Sequence, residues 1–182
     1  MSEMILETPR LWLRPFRDSD AADVYAYARD PQVGPIAGWQ PHKSQEESRE
    51  IIRTVFSAPG VFAMELKETG KVVGSVGYVG NHPVGVRPDC PDDEVGYALA
   101  PACWGRGLMP EAVNEVIRWL FEERKLDAIL CAHFDWNAQS ARVQQKCGFR
   151  PFAEGSYETR YGTTEKDITN ILYREDWEAS HK

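Results

Sequence analysis

The sequence predicts an α/β domain built around a single mixed sheet. Three observations carry that expectation. Short apolar runs of strand length alternate with longer stretches whose apolar residues recur at helical spacing, in the order β-α-α-β-β-β-α-β-α-β-β. Hydrophobic residues make up 42% of the 182 positions against 27% charged, enough for a core without disulfide or metal staples. Gly- and Pro-bearing turns punctuate the runs, with no internal repeat or low-complexity tract.

In chain order, residues 5–14 alternate in part and read as the first strand. Asp18 or Ser19 caps a helix carrying Ala21, Val24, Tyr25 and Ala28 at helical spacing, which stops before Asp30-Pro31. Residues 31–41 form a Gly/Pro-rich loop that contains Trp39. Ser44 caps a second helix, Glu47 completes a capping box, and Ile51, Ile52, Val55 and Phe56 make the apolar face. Residues 61–66 and 72–79 form a hairpin turned at Thr69-Gly70. An irregular segment with three prolines, 81–93, precedes the fourth strand, 94–99.

A helix runs on from Pro110, placed where its missing N–H has no intrahelical acceptor, with Val113, Val116, Ile117, Leu120 and Phe121 on one stripe. Residues 128–134 are the fifth strand. Asn137 caps a short helix to Lys146, and Gly148 closes it. Extended segments near 149–161 and 166–173, separated by Gly162-Thr163-Thr164, bring the count to seven strands and four helices.

Composition excludes several classes. A net charge of −7 disfavours a general grip on nucleic-acid phosphates and mildly attracts cationic partners, amines among them. Cys90, Cys103, Cys131 and Cys147 form no C-x-x-C pair, which fits reduced thiols rather than a disulfide framework or a zinc site. No apolar run has the length to cross a bilayer, and M-S-E-M-I-L-E carries acid where an export signal carries base. A cytoplasmic location is the expectation, with no membrane partner.

The most informative stretch is W-G-R-G-L-M-P-E at 104–111. Two glycines one residue apart follow a strand and precede an amphipathic helix. Glycine lets the backbone turn sharply and expose its N–H groups, and the free amides of a helix start favour negative charge. Strand, glycine turn and helix N-terminus in that order make a cradle for a pyrophosphate. Alone, the pattern is equally an ordinary loop before a helix.

Four stretches together resemble the GNAT family of acyl-CoA-dependent N-acetyltransferases, and within it the ribosomal-protein N-terminal (RimJ/RimL-like) branch. They are T-P-R-L-W-L-R-P-F at 8–16, E-V-G-Y-A-L-A-P at 94–101, W-G-R-G-L-M-P-E-A at 104–112 and N-A-Q-S-A-R-V-Q-Q-K-C-G-F at 137–149, in the family's order and spacing. The resemblance implies a single domain over residues 1–182, mostly antiparallel and splayed between the fourth and fifth strands to admit acetyl-CoA. Backbone groups at Ala98, Leu99 and Ala100 would hydrogen-bond the pantetheine arm as another strand does. Amides of Gly105, Arg106, Gly107, Leu108 and Met109, following Trp104, would hold the pyrophosphate, with the Arg106 side chain adding charge. Asn137 would reach the cofactor from the next helix. Where the family signature usually carries Gly or Ala, this chain has Met109, whose bulk either crowds the pyrophosphate or points away. A homodimer fits the resemblance too.

The chemistry needs a neutral amine to attack the thioester, in a ternary complex without a covalent acyl-enzyme or a metal. At pH 7 deprotonating a lysine costs about 4–5 kcal/mol and an α-amine only about 1, so one carboxylate working through water suits an N-terminal substrate. Glu94 is the candidate base, or else a surface acid continuing Asp92-Asp93. Ser140 is the candidate proton donor to the departing thiolate, or else a helix-start serine serving backbone donors. Tyr97 and Trp39 are candidates for the acceptor pocket, Trp39 being otherwise an aromatic tucked under its own loop; Tyr97 and Tyr157 are weaker proton donors. Cys103 and His133 read as a small buried hydrophobe and a cleft histidine, and Arg10, Arg14 and Arg17 as ion-paired. A small-molecule amine acetyltransferase (amino acid, polyamine or antibiotic) competes with an N-terminal acetyltransferase. A non-catalytic acyl-CoA sensor and a ribosome-associated binding module remain as alternatives from other classes.

Overall fold

The computed structural model describes residues 3–79 and 92–182. The irregular segment expected at 81–93 lies outside them except for its last two residues, which begin a strand. Eight strands form one sheet: β1 (Leu6–Glu7), β2 (Leu11–Arg14), β3 (Val61–Leu66), β4 (Lys71–Val79), β5 (Asp92–Leu99), β6 (Ala128–Phe134), β7 (Arg150–Glu158) and β8 (Thr164–Tyr173). Their spatial order is β1-β2-β3-β4-β5-β6-β8-β7, and every neighbouring pair is antiparallel except β5 with β6. Five helices accompany them: α1 (Ala21–Ala28), α2 (Gln45–Thr54), α3 (Leu108–Glu122), α4 (Ala138–Lys146) and α5 (Arg174–Ser180).

The fold class is the expected one; the count of seven strands and four helices is not. The first strand is two, because Thr8-Pro9 makes a turn in which Leu11 N–H donates to Thr8 Oγ1 and proline has no N–H for the ladder. The unforeseen α5 has no side-chain cap; Trp177 packs on Phe121 of α3, ring centroids 5.4 Å apart. Tertiary contact rather than a local start signal secures it.

The α3 stripe of Val113, Val116, Ile117 and Leu120 fills the main core with Leu13, Met64, Val76, Val95 and Ile129 of the sheet. A second core joins α1 and α2 to Ala63 and Val72. Neither Asp18 nor Ser19 caps α1. Asp20 accepts from the Arg17 N–H and pairs bidentately with the buried Arg14, which also donates to Glu65. A buried guanidinium needs a fork of acceptors, and Asp20 supplies it. Ser44 Oγ caps α2 by accepting from Glu47 N–H, while the Glu47 carboxylate receives the Lys43 amide, so the reciprocal half of the box reaches one residue further back.

The feature that positions the site is where β5 and β6 separate. They pair from Asp92↔Ala128 to Val95↔Cys131 and no further, although both strands continue. On its other edge β5 stays zipped to β4 as far as Gly74↔Leu99. The sheet therefore opens along Gly96–Leu99 and closes again through the β6–β8 ladder.

Candidate active site

That opening is a cavity of about 360 Å³, in the range of small-molecule sites. Ten of the positions singled out in the sequence reach it: Glu94, Tyr97, Ala98, Leu99, Trp104, Met109, His133, Asn137, Ser140 and Tyr157. Trp39 does not line it. Its ring packs against Gly34 and lies tilted against His42, ring centroids 5.2 Å apart, while its loop neighbours Val33, Ile36 and Ala37 face the cavity instead.

The backbone of β5 narrows one expectation. Ala100 N–H donates to Val73 O at 2.8 Å, toward β4. Alternation along an antiparallel strand turns Ala98 the same way, and turns Tyr97 and Leu99 toward the open edge. The Leu99 carbonyl there accepts from Trp104 Nε1 at 2.9 Å, which fixes the following loop to the strand. Leu99 and Tyr97, not Ala98 and Ala100, offer backbone groups to a ligand.

At the mouth, Gly105 (φ +74°) and Gly107 (φ +76°) both adopt the left-handed conformation that lets two consecutive turns run into α3. Gly107 is the α3 N-cap and provides no side-chain acceptor. Among the described residues, none of the amides of Gly105, Arg106, Gly107, Leu108 and Met109 donates to a protein acceptor. Gly105, Arg106 and Gly107 are exposed while Leu108 and Met109 are buried, and amides left free at a helix start favour negative charge. The Arg106 side chain leans on Glu68 at 3.4 Å but stays largely exposed. Met109 is 5% exposed and belongs to the main core, so its bulk points away from the turn.

Across the cavity α4 begins differently. Asn137 Oδ1 accepts from Ser140 N–H at 3.1 Å, which leaves its Nδ2 donor for other partners. Ser140 Oγ sits 2.6 Å from the Tyr97 phenol oxygen. Gln144, one turn on and 1% exposed, donates from Nε2 to Ala132 O and to Ser140 Oγ, and its Oε1 accepts from Asn170 Nδ2. Gln144 and Asn170 are absent from the sequence reading. Spacing alone would have flagged Gln144, which shares a helix face with Ser140.

Burial pushes the Tyr97 phenol well above its ordinary range, so it remains protonated. Burial likewise pushes the Cys131 thiol up and Cys147 to about 12, so neither supplies a thiolate. Cys103 is buried as expected. Glu94, His133 and Asp167 bring ionisable side chains to the lining, alongside the aromatic rings of Phe134 and Tyr157. Equivalent positions across the ladders face the same side, so the register puts Glu94 (opposite Leu130) and Asp167 (opposite Phe134) on one face of the sheet. Burial raises the Asp167 carboxyl above the usual range. His133 Nδ1 donates to Phe134 O at 2.8 Å, leaving Nε2 as its unprotonated nitrogen when neutral. No metal-ligating group of three or more His, Cys, Asp or Glu exists among the described residues, and none of their helices is long and apolar enough to cross a membrane.

A mixed sheet parted beside a glycine-led helix start, over a cavity lined by carboxylates and hydroxyls, is the geometry of a site for a small-molecule substrate. Residues 10–150 match the family model described as Acetyltransferase (GNAT) domain, and the chain belongs to that family of N-acetyltransferases. It is 29% identical over 152 residues to the uncharacterized N-acetyltransferase YoaA of Bacillus subtilis, covering 80% of this chain and 82% of that protein. Among solved structures, the GNAT-family acetyltransferase of Bacillus anthracis superposes with a TM-score of 0.81 at 21% identity, covering 94% and 99% of the two chains. The ribosomal-protein-S5-alanine acetyltransferase of Vibrio fischeri superposes with a TM-score of 0.73 at 25% identity, covering 96% and 98%. The chain is thus an acyltransferase whose family uses acetyl-CoA and an amine acceptor.

Proposed function

We propose that this cytoplasmic enzyme, of the RimJ/RimL-like branch, acetylates an α-amine, the amino terminus of a protein, by direct transfer from acetyl-CoA. The observation that carries the donor half is the run of unpartnered amides at 105–109 beside the open edge of β5. A diphosphate on those amides lets the pantetheine arm bond Tyr97 and Leu99 and brings the thioester to Ser140.

Acetyl-CoA supplies the activated acyl group. Glu94, through a water molecule, takes the first proton from the ammonium and leaves nitrogen with its lone pair. The nitrogen–carbon bond forms and the carbon–sulfur bond breaks. Ser140 gives its proton to the departing sulfur, backed by the protonated Tyr97 phenol 2.6 Å away, and the second amine proton restores the balance. The protonated state of Cys131 and Cys147 supports transfer without a covalent acyl-enzyme. One carboxylate can meet the cost of about 1 kcal/mol for an α-amine far more easily than the 4–5 of a lysine. Likeness to the Vibrio fischeri S5-alanine enzyme supports the same acceptor class.

The test is free-CoA release with a panel of N-terminal peptides, their Nα-blocked lysine counterparts and small amines. Peptides with free α-amines should be preferred by at least about tenfold in kcat/KM; preference for a small amine overturns the acceptor assignment. Glu94→Gln should cut kcat roughly a hundredfold while leaving acetyl-CoA affinity nearly intact, and an unchanged kcat from pH 6 to 9 removes Glu94 from the mechanism.

A further inference from the structure

We propose that Arg10, 96 residues away in sequence from the loop it touches, is a positioning residue that aims the amides of the glycine turn at the donor's diphosphate. The inference rests on the acetyl-CoA reading above and adds a residue that lines neither the cavity nor the turn.

Arg10 Nη1 donates to the Arg106 carbonyl oxygen at 2.8 Å. The peptide joining Arg106 to Gly107 is trans, so its C=O and N–H point in opposite directions. Holding the oxygen against the β1–β2 turn therefore directs the Gly107 N–H outward, where no protein acceptor meets it. The guanidinium is itself fixed. Arg10 Nε donates to Glu111 Oε1 at 3.0 Å, the Arg10 backbone N–H to Oε2 at 3.2 Å, and Thr8 Oγ1 to Oε2 at 2.8 Å. Glu111 stands in the first turn of α3, so the helix, the glycine loop and the β1–β2 turn are locked into one unit. A Cβ at Gly107 would lie 3.5 Å from Arg10 Nη2, which shows how closely the guanidinium underlies the loop.

The Arg10 side chain is 42% exposed and that of Glu111 18%, so the pair ties the three elements together as well as aiming the loop. A two-glycine turn has many conformations of similar energy, and a fork that grips one carbonyl selects the one with its donors facing out.

Steady-state kinetics with two thioesters test the proposal: acetyl-CoA, and S-acetyl-pantetheine, which lacks the diphosphate. Wild-type enzyme should show the lower KM for acetyl-CoA; equal KM values would overturn the cradle reading itself, whatever Arg10 does. Given that difference, Arg10→Ala should raise the KM for acetyl-CoA about tenfold, the loss of roughly one well-aimed donor, with kcat held. Its kcat/KM for S-acetyl-pantetheine should stay within about twofold. A loss shared by both thioesters, or an unchanged acetyl-CoA KM, overturns the proposal. Arg10→Lys keeps the charge without the fork and should recover less than half of the loss on a logarithmic scale. Full recovery would mean that charge alone matters and would overturn positioning. If Arg10→Ala fails to fold, Arg10→Lys and Glu111→Gln decide by the same ratio between thioesters.

Discussion

Two helices begin at the rim of one cavity, and they begin in opposite ways. At α4 a side chain serves the helix start: Asn137 Oδ1 takes the Ser140 amide. At α3 the cap is Gly107, which offers no side-chain acceptor, and no amide from Gly105 to Met109 meets an acceptor among the described residues. A fold that can cap a helix nine residues long with asparagine could have capped one of fifteen. On the function proposed above, the α3 start is left open for the donor, whereas the α4 start is capped from within and carries Ser140, whose hydroxyl meets the Tyr97 phenol.

The largest way to break that contrast is Gly107→Val. A β-branched residue at φ +76° costs on the order of 1–2 kcal/mol of backbone strain, so the turn must rearrange and the KM for acetyl-CoA should rise tenfold or more. Gly105→Ala sharpens the reading, since nothing lies within 4 Å of its added Cβ: any rise in KM there measures conformation without bulk. An unchanged KM in both variants would show that the turn does not hold the donor.

On the α4 side, Ser140→Ala should lower kcat by about tenfold with little change in acetyl-CoA KM, as read from initial rates at saturating donor. Asn137→Ala should cost about 1 kcal/mol of stability in denaturant unfolding, the ordinary loss of a helix cap, and raise the acetyl-CoA KM less than Gly107→Val does. If it weakens donor affinity as much as Gly107→Val does, the two helix starts are not functionally distinct.

The smallest effect concerns the Tyr97 phenol. Its folded pKa is raised, chiefly by burial, so its contribution to stability is full below the unfolded value near 10 and is lost as pH rises toward the folded one. Tyr97→Phe should therefore flatten part of the alkaline fall in unfolding free energy above about pH 10. A fall identical to wild type would place the phenol in water rather than in the Ser140–Gln144 network.

What was legible before any coordinates were at hand was local. The glycine turn, the Ser44 and Asn137 caps and the α3 stripe all depend on residues within a turn or two of one another, so their spacing carries the information. Family likeness added the splay of the sheet. The segments that went astray did so where contacts from elsewhere decided: Thr8-Pro9 divides a strand, Asp20 answers to Arg14, and Trp177 secures a helix through Phe121.

By itself, then, the chain's sequence determined its elements, its helix starts and the kind of ligand the glycine turn suits, because backbone conformation and capping are short-range physics. Only the tertiary structure decided which β5 groups face the opening, that Gln144 and Asn170 back the hydroxyl pair, and that Arg10 and Glu111 grip the turn from 101 residues apart. Those follow from strand register and helix packing, where one step along a ladder turns a side chain from one face of the sheet to the other.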